Sequence, residues 1–387
     1  MIRRLWAAVA VLILAVPLTG PAAAAPASTW PQVGSDAGRS YYNANEDAVN
    51  ASTVSKLKLR WQVPPSPSEC PGMVGPVVAG GLTLTQDTAG LVARESATGR
   101  LAWRDTGIFT DRLAYHIVVS GTTVVVASSD SLCMIEGGDA DGLVVAFDLA
   151  SGRQLWQRSP NTDAAQLVVT RGVVIVSGND YATSPNVEAY RLSDGTSLWS
   201  NEDPDGPRTL FSTVPVLGDV LISMHRQMET WRVDAVTGQP RGGWSASWTP
   251  LASYGDWMFV GDSSDWSLKA VRLSTDAVVW SMDRVSNRVA TDGRRLYLGV
   301  GSVLEAYDVA SGKRIWSVDL GGRVGQPVRA GGLVYAPVAG KPVAVRNAST
   351  GVKVTPSSAL SKVSTVAAVG GGRLFGTTAS GLGVFGL

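Results

Sequence analysis

The sequence predicts an all-β fold, an eight-bladed β-propeller of four-stranded antiparallel blades. The first observation is a motif that recurs along the chain, most completely as AFDLASGRQLW at 146–156 and AYDVASGKRIW at 306–316. The second is a hairpin signal between two apolar runs upstream of each copy. The third is the spacing of about 42 residues between units, because a period of 20 to 50 residues indicates a repeat architecture.

Each copy of the motif predicts two strands joined by a tight turn. Its first half is apolar and rich in β-branched and aromatic residues, as strands are. A glycine then supplies the positive φ that a tight hairpin requires. Weaker copies occur at 93–103, 189–199, 233–244, 270–280 and 346–354, the last without its tryptophan. The second strand of a copy, or its equivalent near the N-terminus, ends on a repeated aromatic: Trp61, Trp103, Trp156, Trp199, Trp244, Trp280 and Trp316.

The upstream hairpins complete the unit. VVSGTTVVV at 118–126 and ATDGRRLYL at 290–298 are typical of eight such segments. Each unit therefore contains four antiparallel strands, the pattern of a propeller blade.

The blade count depends on the two ends of the chain. Eight upstream hairpins are present but only seven complete motifs, and the eighth third strand is GLGVFGL at 381–387. The segment KLKLRWQV at 56–63 can supply the missing fourth strand, which would close the ring and cover its exposed edges. We therefore predict eight blades over 56–387, preceded by an N-terminal segment at 26–55. The alternative is a seven-bladed ring with loose ends.

The first 25 residues are typical of a secretory signal peptide. Two arginines precede an apolar run from Leu5 to Leu18, and small residues follow it. The run is short for a membrane span and contains Pro17, so an uncleaved anchor is the lesser alternative. We expect a protein secreted or held at the cell-envelope exterior, without a stable membrane span. The net charge of +1 gives no electrostatic reason to expect nucleic-acid binding.

Two cysteines, Cys70 and Cys133, remain in the exported chain. Exported proteins reside in oxidising compartments, so a disulfide between them is the expectation. The alternative is two unrelated free thiols.

The motif A-x-D-x-x-[ST]-G-x-x-x-W resembles the repeat of pyrroloquinoline-quinone (PQQ) type propellers. Ala146, Asp148, Ser151, Gly152 and Trp156 match it fully, as do the equivalent residues of 306–316. The segment at 30–61 also resembles the lead-in segment of that superfamily. The resemblance implies that the repeated tryptophans are structural, because the family packs this aromatic against the adjacent blade.

The resemblance leaves two functional classes open. Quinoprotein alcohol and sugar dehydrogenases hold PQQ and a calcium ion at the ring's centre, whereas BamB-like propellers are binding scaffolds. This sequence lacks two adjacent cysteines and a C-x-x-C-H motif, and no motif locates a carboxylate base or calcium ligands. We therefore expect no cofactor, with PQQ and calcium only under the dehydrogenase alternative.

Candidate ligand residues lie mainly in the long loops on the face opposite the glycine turns, because loops on a rigid scaffold often carry function. They are Asp111, Arg112, His116, His225, Arg226 and Trp266. The acidic stretch at 136–142 is reminiscent of a calcium loop but lacks its terminal glutamate. The two histidines are too far apart in the ring for a zinc site. Solvated loops and structural histidines are the plainer interpretation of all these residues.

The favoured interpretation is an exported, monomeric, non-catalytic scaffold whose long-loop face binds a protein or other ligand. We assign no catalytic or metal-binding residue. One alternative is a PQQ- and calcium-dependent alcohol or sugar dehydrogenase. The other is a cell-wall carbohydrate-binding protein, suggested by export and by Trp266 in its loop.

Overall fold

The chain forms eight small sheets, which are the blades of a ring. The computed structural model describes residues 28–64, 75–87, 90–108, 113–129, 142–162, 164, 166–178, 187–201, 218–224, 229–246, 248–283 and 286–387. Within these residues there are thirty-one strands and no α-helix, only 3-10 turns at Val54–Lys56 and Ser358–Lys362. No helix in this part of the chain is long and apolar enough to cross a membrane.

The first half of the ring follows two short N-terminal strands, β1 (Tyr42–Asn43) and β2 (Lys58–Val63). Blade one contains β3 (Val77–Ala79), β4 (Leu82–Asp87), β5 (Gly90–Glu95) and β6 (Leu101–Arg104). Blade two contains β7 (Leu113–Ser120), β8 (Thr123–Ser129), β9 (Gly142–Asp148) and β10 (Gln154–Arg158). Blade three contains β11 (Gln166–Thr170), β12 (Val173–Ser177), β13 (Val187–Arg191) and β14 (Ser197–Asn201). Blade four contains β15 (Asp219–Met224), β16 (Glu229–Asp234) and β17 (Pro240–Trp244).

The second half of the ring comprises blades five to eight. Blade five contains β18 (Trp248–Tyr254), β19 (Trp257–Asp262), β20 (Ser267–Arg272) and β21 (Ala277–Met282). Blade six contains β22 (Val289–Thr291), β23 (Arg295–Val300), β24 (Val303–Asp308) and β25 (Arg314–Asp319). Blade seven contains β26 (Val328–Ala330), β27 (Leu333–Val338) and β28 (Lys341–Asn347). Blade eight contains β29 (Thr365–Gly370), β30 (Arg373–Thr378) and β31 (Gly381–Gly386).

The ring closes as predicted, between the two ends of the propeller. Strand β2 pairs antiparallel with β31, with Lys58 opposite Gly386 and Val63 opposite Leu382. Inner strand β29 of blade eight also contacts inner strand β3 of blade one. The eight-bladed prediction is confirmed, and the seven-bladed alternative is wrong.

Two blades differ from the four-stranded pattern. Blade seven has only an isolated bridge, Arg346 with Lys353, where its outer strand is predicted, and it gains β1, which pairs parallel with β26 at its inner edge. Within the described residues blade four shows three strands, and residues 202–217, which precede it, lie outside them.

Burial follows position in the ring. The second strand of a blade, such as β12, is buried throughout, since a neighbouring blade covers each face. Outer strands such as β10 bury only one residue, Trp156, and expose the rest. The apolar core is divided into separate clusters, each between two adjacent blades, as expected for a repeat protein.

The repeated tryptophans connect consecutive blades. In every case the indole Nε1 donates a hydrogen bond of 2.7 to 3.1 Å to a main-chain carbonyl in or near the glycine turn of the next blade. The pairs are Trp61 with Ser96, Trp103 with Leu149, Trp156 with Leu192, Trp199 with Ala235, Trp244 with Asp276, Trp280 with Val309, and Trp316 with Ala348.

Candidate functional site

The N-terminal segment before β2 crosses the central channel at the end where the glycine turns lie. Main-chain hydrogen bonds join it to the inner strands of blades on opposite sides of the ring. The partners are Trp30 with Val78, Pro31 with Val119, Gly38 with Ser253, Ser40 with Thr291, and Tyr41 with Arg329. This segment therefore closes the channel at its turn end.

The backbone of the segment is unusual for a chain without regular structure. Three residues other than glycine adopt positive φ: Ser35 (76°), Arg39 (51°) and Tyr41 (52°). Such conformations cost roughly 1 to 3 kcal/mol each and persist only where surrounding contacts hold them. Gly38 leaves no room for a side chain, since a Cβ there would lie 2.3 Å from the Ser253 carbonyl oxygen.

A cavity of about 170 Å³ lies in the channel beside this segment. Its polar lining comes from Gln32, Asp36, Arg39 and Tyr41 of the segment and from His116 of β7. Its apolar lining includes Val33, Ala37, Ile117, Val118, Leu167 and Val168. The residues around the cavity thus include one arginine, one aspartate, one histidine and one tyrosine beside apolar residues.

Burial changes the acid–base behaviour of these groups. It raises the pKa of Asp36 to about 6, although Ser40 donates to this carboxylate from its main-chain N at 3.1 Å and from its hydroxyl. Burial also lowers the pKa of Arg39 and raises that of Tyr41. Asp36 is therefore the lining carboxyl whose charge changes close to neutral pH.

The sequence-based candidates are spread over the molecule. His116 lies on the cavity wall, where the sequence placed it as a residue of an innermost strand. Trp266 is 73% exposed in the turn between β19 and β20, on the long-loop face. The other candidates, Asp111, Arg112, His225 and Arg226, lie outside the described residues, as do Cys70 and Cys133 and the predicted signal peptide.

Sequence reasoning missed the polar groups of the N-terminal segment. Asp36, Arg39 and Tyr41 have no periodic spacing, so no strand or helix pattern marks them. The available signal was the resemblance of the segment at 30–61 to a known lead-in segment, together with its glycines. That signal identified the segment without indicating that it enters the channel.

The cavity does not match the PQQ and calcium that the family resemblance implies. Its volume is below the roughly 300 to 1,000 Å³ typical of sites for cofactor-sized ligands. Calcium takes about six to eight oxygen ligands. Across the described part of the chain, no three His, Cys, Asp or Glu side chains converge to hold a metal. The described residues therefore do not fit this pair of groups, and we derive no catalytic step through them.

Comparison with curated proteins finds dehydrogenase subunits among the similar chains. The chain is 24% identical over 243 residues to the alcohol dehydrogenase (quinone), dehydrogenase subunit, of Gluconacetobacter polyoxogenes. The match covers 58% of this chain and 32% of the relative, so this chain spans about a third of that protein's length.

This similarity corrects two predictions from the sequence. The non-catalytic scaffold and the absence of a cofactor are both contradicted, because the matching curated proteins are dehydrogenase subunits named for a quinone. The absence of linear motifs is not evidence against a site in this fold. In a propeller, side chains of distant blades meet at the axis, so a site there need not leave a contiguous motif.

Solved structures and a family profile agree on the architecture. A quinohemoprotein alcohol dehydrogenase from Pseudomonas putida HK5 superposes with a TM-score of 0.67 at 13% identity, covering 92% of this chain and 76% of that one. BamB from Moraxella catarrhalis superposes with a TM-score of 0.59 at 14% identity, covering 86% and 98%. The profile described as outer membrane protein assembly factor BamB matches residues 24–282 and 264–382. The chain therefore belongs to the PQQ-like β-propeller family that this profile represents.

Proposed function

We propose that this protein is an exported propeller of the quinone-dependent dehydrogenase type, which oxidises an alcohol or a sugar. The observation that carries the proposal is the 24% identity over 243 residues to a quinone alcohol dehydrogenase subunit. A bound quinone would supply the two-electron oxidant. The similarity covers about a third of that subunit, so substrate and cofactor are both part of the proposal.

The proposal assigns no catalytic residue. Burial raises the pKa of Asp36 to about 6, and efficient general bases have pKa values near the working pH. The cavity around Asp36 is smaller than a cofactor site, however, and the quinone is not assigned to it.

The test uses the purified exported protein with PQQ and calcium ions. PQQ binding is measured by quenching of intrinsic tryptophan fluorescence and by equilibrium dialysis. Turnover is measured as dye-linked oxidation of a panel of primary alcohols and aldose sugars. Controls omit PQQ, or replace calcium with a chelator.

Stoichiometric PQQ binding with calcium-dependent turnover is the expected result. Absence of PQQ binding at tens of micromolar would refute the proposal. The Arg39→Met variant is expected to bind PQQ as tightly as the parent protein, because the described cavity is not the quinone site. Loss of PQQ binding in that variant would indicate instead that the quinone binds in the cavity.

Export and the division of the chain belong to the same proposal. We infer a cleaved signal peptide at 1–25, an N-terminal segment at 26–55 and a propeller at 56–387, in a protein that is monomeric. Support comes from the charged, apolar and small-residue order of the first 25 residues and from the envelope setting named in the matching family description. Intact mass of the exported protein tests the cleavage, and light scattering tests the monomer.

A further inference from the structure

We propose that the central cavity binds a small organic carboxylate of roughly the size of benzoate, with the Arg39 guanidinium as its partner. This site goes beyond the proposed dehydrogenase function and does not depend on it. The charge of Arg39, the way its backbone is held, and the size and lining of the cavity support this site.

The first feature of the site is the positive charge of the Arg39 guanidinium. Among the residues that the structure describes, no carboxylate or carbonyl forms an ion pair or hydrogen bond with the Arg39 guanidinium, and its electrostatic neighbour is the Tyr41 phenol. A guanidinium placed among protein atoms without a partner is costly, because desolvation is not offset by pairing. The neighbouring Asp36 carboxylate does not supply that partner, since it accepts from Ser40 instead.

Other arginines beside the channel show the usual arrangement. Arg329 lies with its Nε 3.3 Å from Asp292 Oδ2 and its guanidinium over the ring of Tyr42. Arg288 donates from Nη1 to the Val324 carbonyl at 2.5 Å. Arg39 differs from both because it lines a cavity and no described carboxylate or carbonyl pairs with its guanidinium. The missing partner is therefore an anion that enters the cavity.

The second step is preorganisation. The backbone of Arg39 has φ of +51°, and its main-chain N donates to the Asp36 carbonyl at 3.0 Å. Gly34 packs against it so closely that a Cβ on Gly34 would lie 2.9 Å from the Arg39 Cα. A cation held in place before binding loses less conformational entropy when the ligand arrives.

The third step is the ligand's size and chemistry. A cavity of about 150 Å³ accepts benzene in an engineered protein, so the 170 Å³ here suits a body of that size. The lining residues Ile117, Val118, Leu167 and Val168 favour an apolar body over a hydrated inorganic ion. A planar carboxylate matches the fork of the guanidinium with two parallel hydrogen bonds. Together these features select a small carboxylate with an apolar body.

The experiment is isothermal titration calorimetry of the full exported protein with sodium benzoate and, as its neutral counterpart, benzamide. Variants are Arg39→Met and Arg39→Lys, with Arg294→Met as the matched control, because Arg294 is exposed on the same end of the ring. Benzoate is expected to bind the parent and Arg294→Met equally. Arg39→Met should weaken binding about 10- to 100-fold, with Arg39→Lys between them.

Several outcomes would overturn the proposal. These are no benzoate binding to the parent protein, equal binding of benzoate and benzamide, or unchanged binding in a folded Arg39→Met variant. Tighter binding of inorganic phosphate than of benzoate would assign the site to an inorganic anion.

If Arg39→Met fails to fold, the parent protein still provides the test. Phenylglyoxal labels accessible guanidinium groups, and peptide mass mapping locates the label. Benzoate is expected to protect Arg39 and to leave Arg294 labelled. Equal labelling of Arg39 with and without benzoate would refute the site. These readouts measure binding alone, so a failed dehydrogenase assay does not affect them.

Discussion

The indole ring of Trp103 lies across Gly152 of the next blade. A Cβ on Gly152 would lie 2.6 Å from Trp103 Cδ2, and the indole Nε1 donates to the Leu149 carbonyl at 2.8 Å. The glycine is thus required twice, for its φ of +70° and for the closeness of the ring. Within one motif copy, the glycine therefore contacts the preceding blade and the tryptophan contacts the following blade.

The missing tryptophan of blade seven follows from the same relationship. Each repeated tryptophan covers the turn between the third and fourth strands of the following blade. In blade eight these strands are β31 and β2, which come from opposite ends of the propeller, so no turn joins them. A tryptophan in the copy at 346–354 would therefore have no glycine turn to cover, and this copy lacks one.

We expect Gly152→Ala to destabilise the fold by about 3 kcal/mol, since it combines an unfavourable φ with a clash against Trp103. Gly121→Ala is the matched control in the same blade, because Gly121 has φ of +60° and open space around its Cβ position. That control should cost about 1 kcal/mol. Urea unfolding measures both, and equal losses would contradict the role of the indole.

Trp316→Ala should cost about 3 to 5 kcal/mol, because it removes a buried indole and its hydrogen bond to the Ala348 carbonyl. Trp266→Ala should change the free energy of unfolding by less than about 0.5 kcal/mol, since this side chain is 73% exposed. Thermal unfolding followed by near-ultraviolet circular dichroism compares the two. A large loss for Trp266→Ala would mean that its loop packs against other residues.

Asn43 ties the N-terminal segment to blade eight. Its Nδ2 donates to the Val369 carbonyl at 2.8 Å and to the Thr29 carbonyl at 2.9 Å. Asn43→Ala should cost about 2 kcal/mol, because buried carbonyls lose their donor. Asn45→Ala, at an exposed position of the same segment, should be nearly neutral. Faster hydrogen exchange in β29 of the Asn43 variant alone is the expected signature, and unchanged exchange would contradict it.

Asp36 should make the stability depend on pH. Its pKa is raised in the folded state from 3.8 to about 6. The contribution of Asp36 to the free energy of unfolding is therefore fully present below pH 3.8, where the group is protonated, and is lost as pH rises through about 6. Asp36→Asn keeps one of the two acceptor oxygens for Ser40 and removes the charge. At pH 7.5 this variant should be more stable than the parent by up to about 3 kcal/mol, and the difference should vanish near pH 4.

Asp148→Asn is the opposite control for this pH dependence. Hydrogen bonds from Ser151 lower the pKa of Asp148 in its exposed turn. Its stabilising contribution is therefore present at neutral pH and disappears as pH falls below the ordinary range of an aspartate. Urea unfolding at several pH values should show Asp148→Asn less stable than the parent at pH 7. The same sign for both variants would contradict the assignment of Asp36.

The motif tryptophans and glycines show why the fold could be predicted. Residues such as Trp156 and Gly195 interact through turn geometry and strand alternation that recur in most blades, so local patterns carry the information. Ring closure could also be predicted, because the C-terminal segment lacks a fourth strand to pair with the free edge of β31, and β2 has no partner strand in its own segment. Blade seven was less predictable, because its outer strand is reduced to a bridge and β1 pairs with its inner strand instead.

By itself, the sequence determined the eight blades, the order of their strands and the two segments that meet at the closure, because these depend on short-range periodicity and on turn residues. Only the tertiary structure brought Asp36 and Arg39 to the same cavity as His116 and Leu167. The N-terminal segment has no periodic pattern of its own. Its conformation is imposed by hydrogen bonds to inner strands as distant in sequence as Ser253 and Arg329, and those partners converge only when the ring has closed.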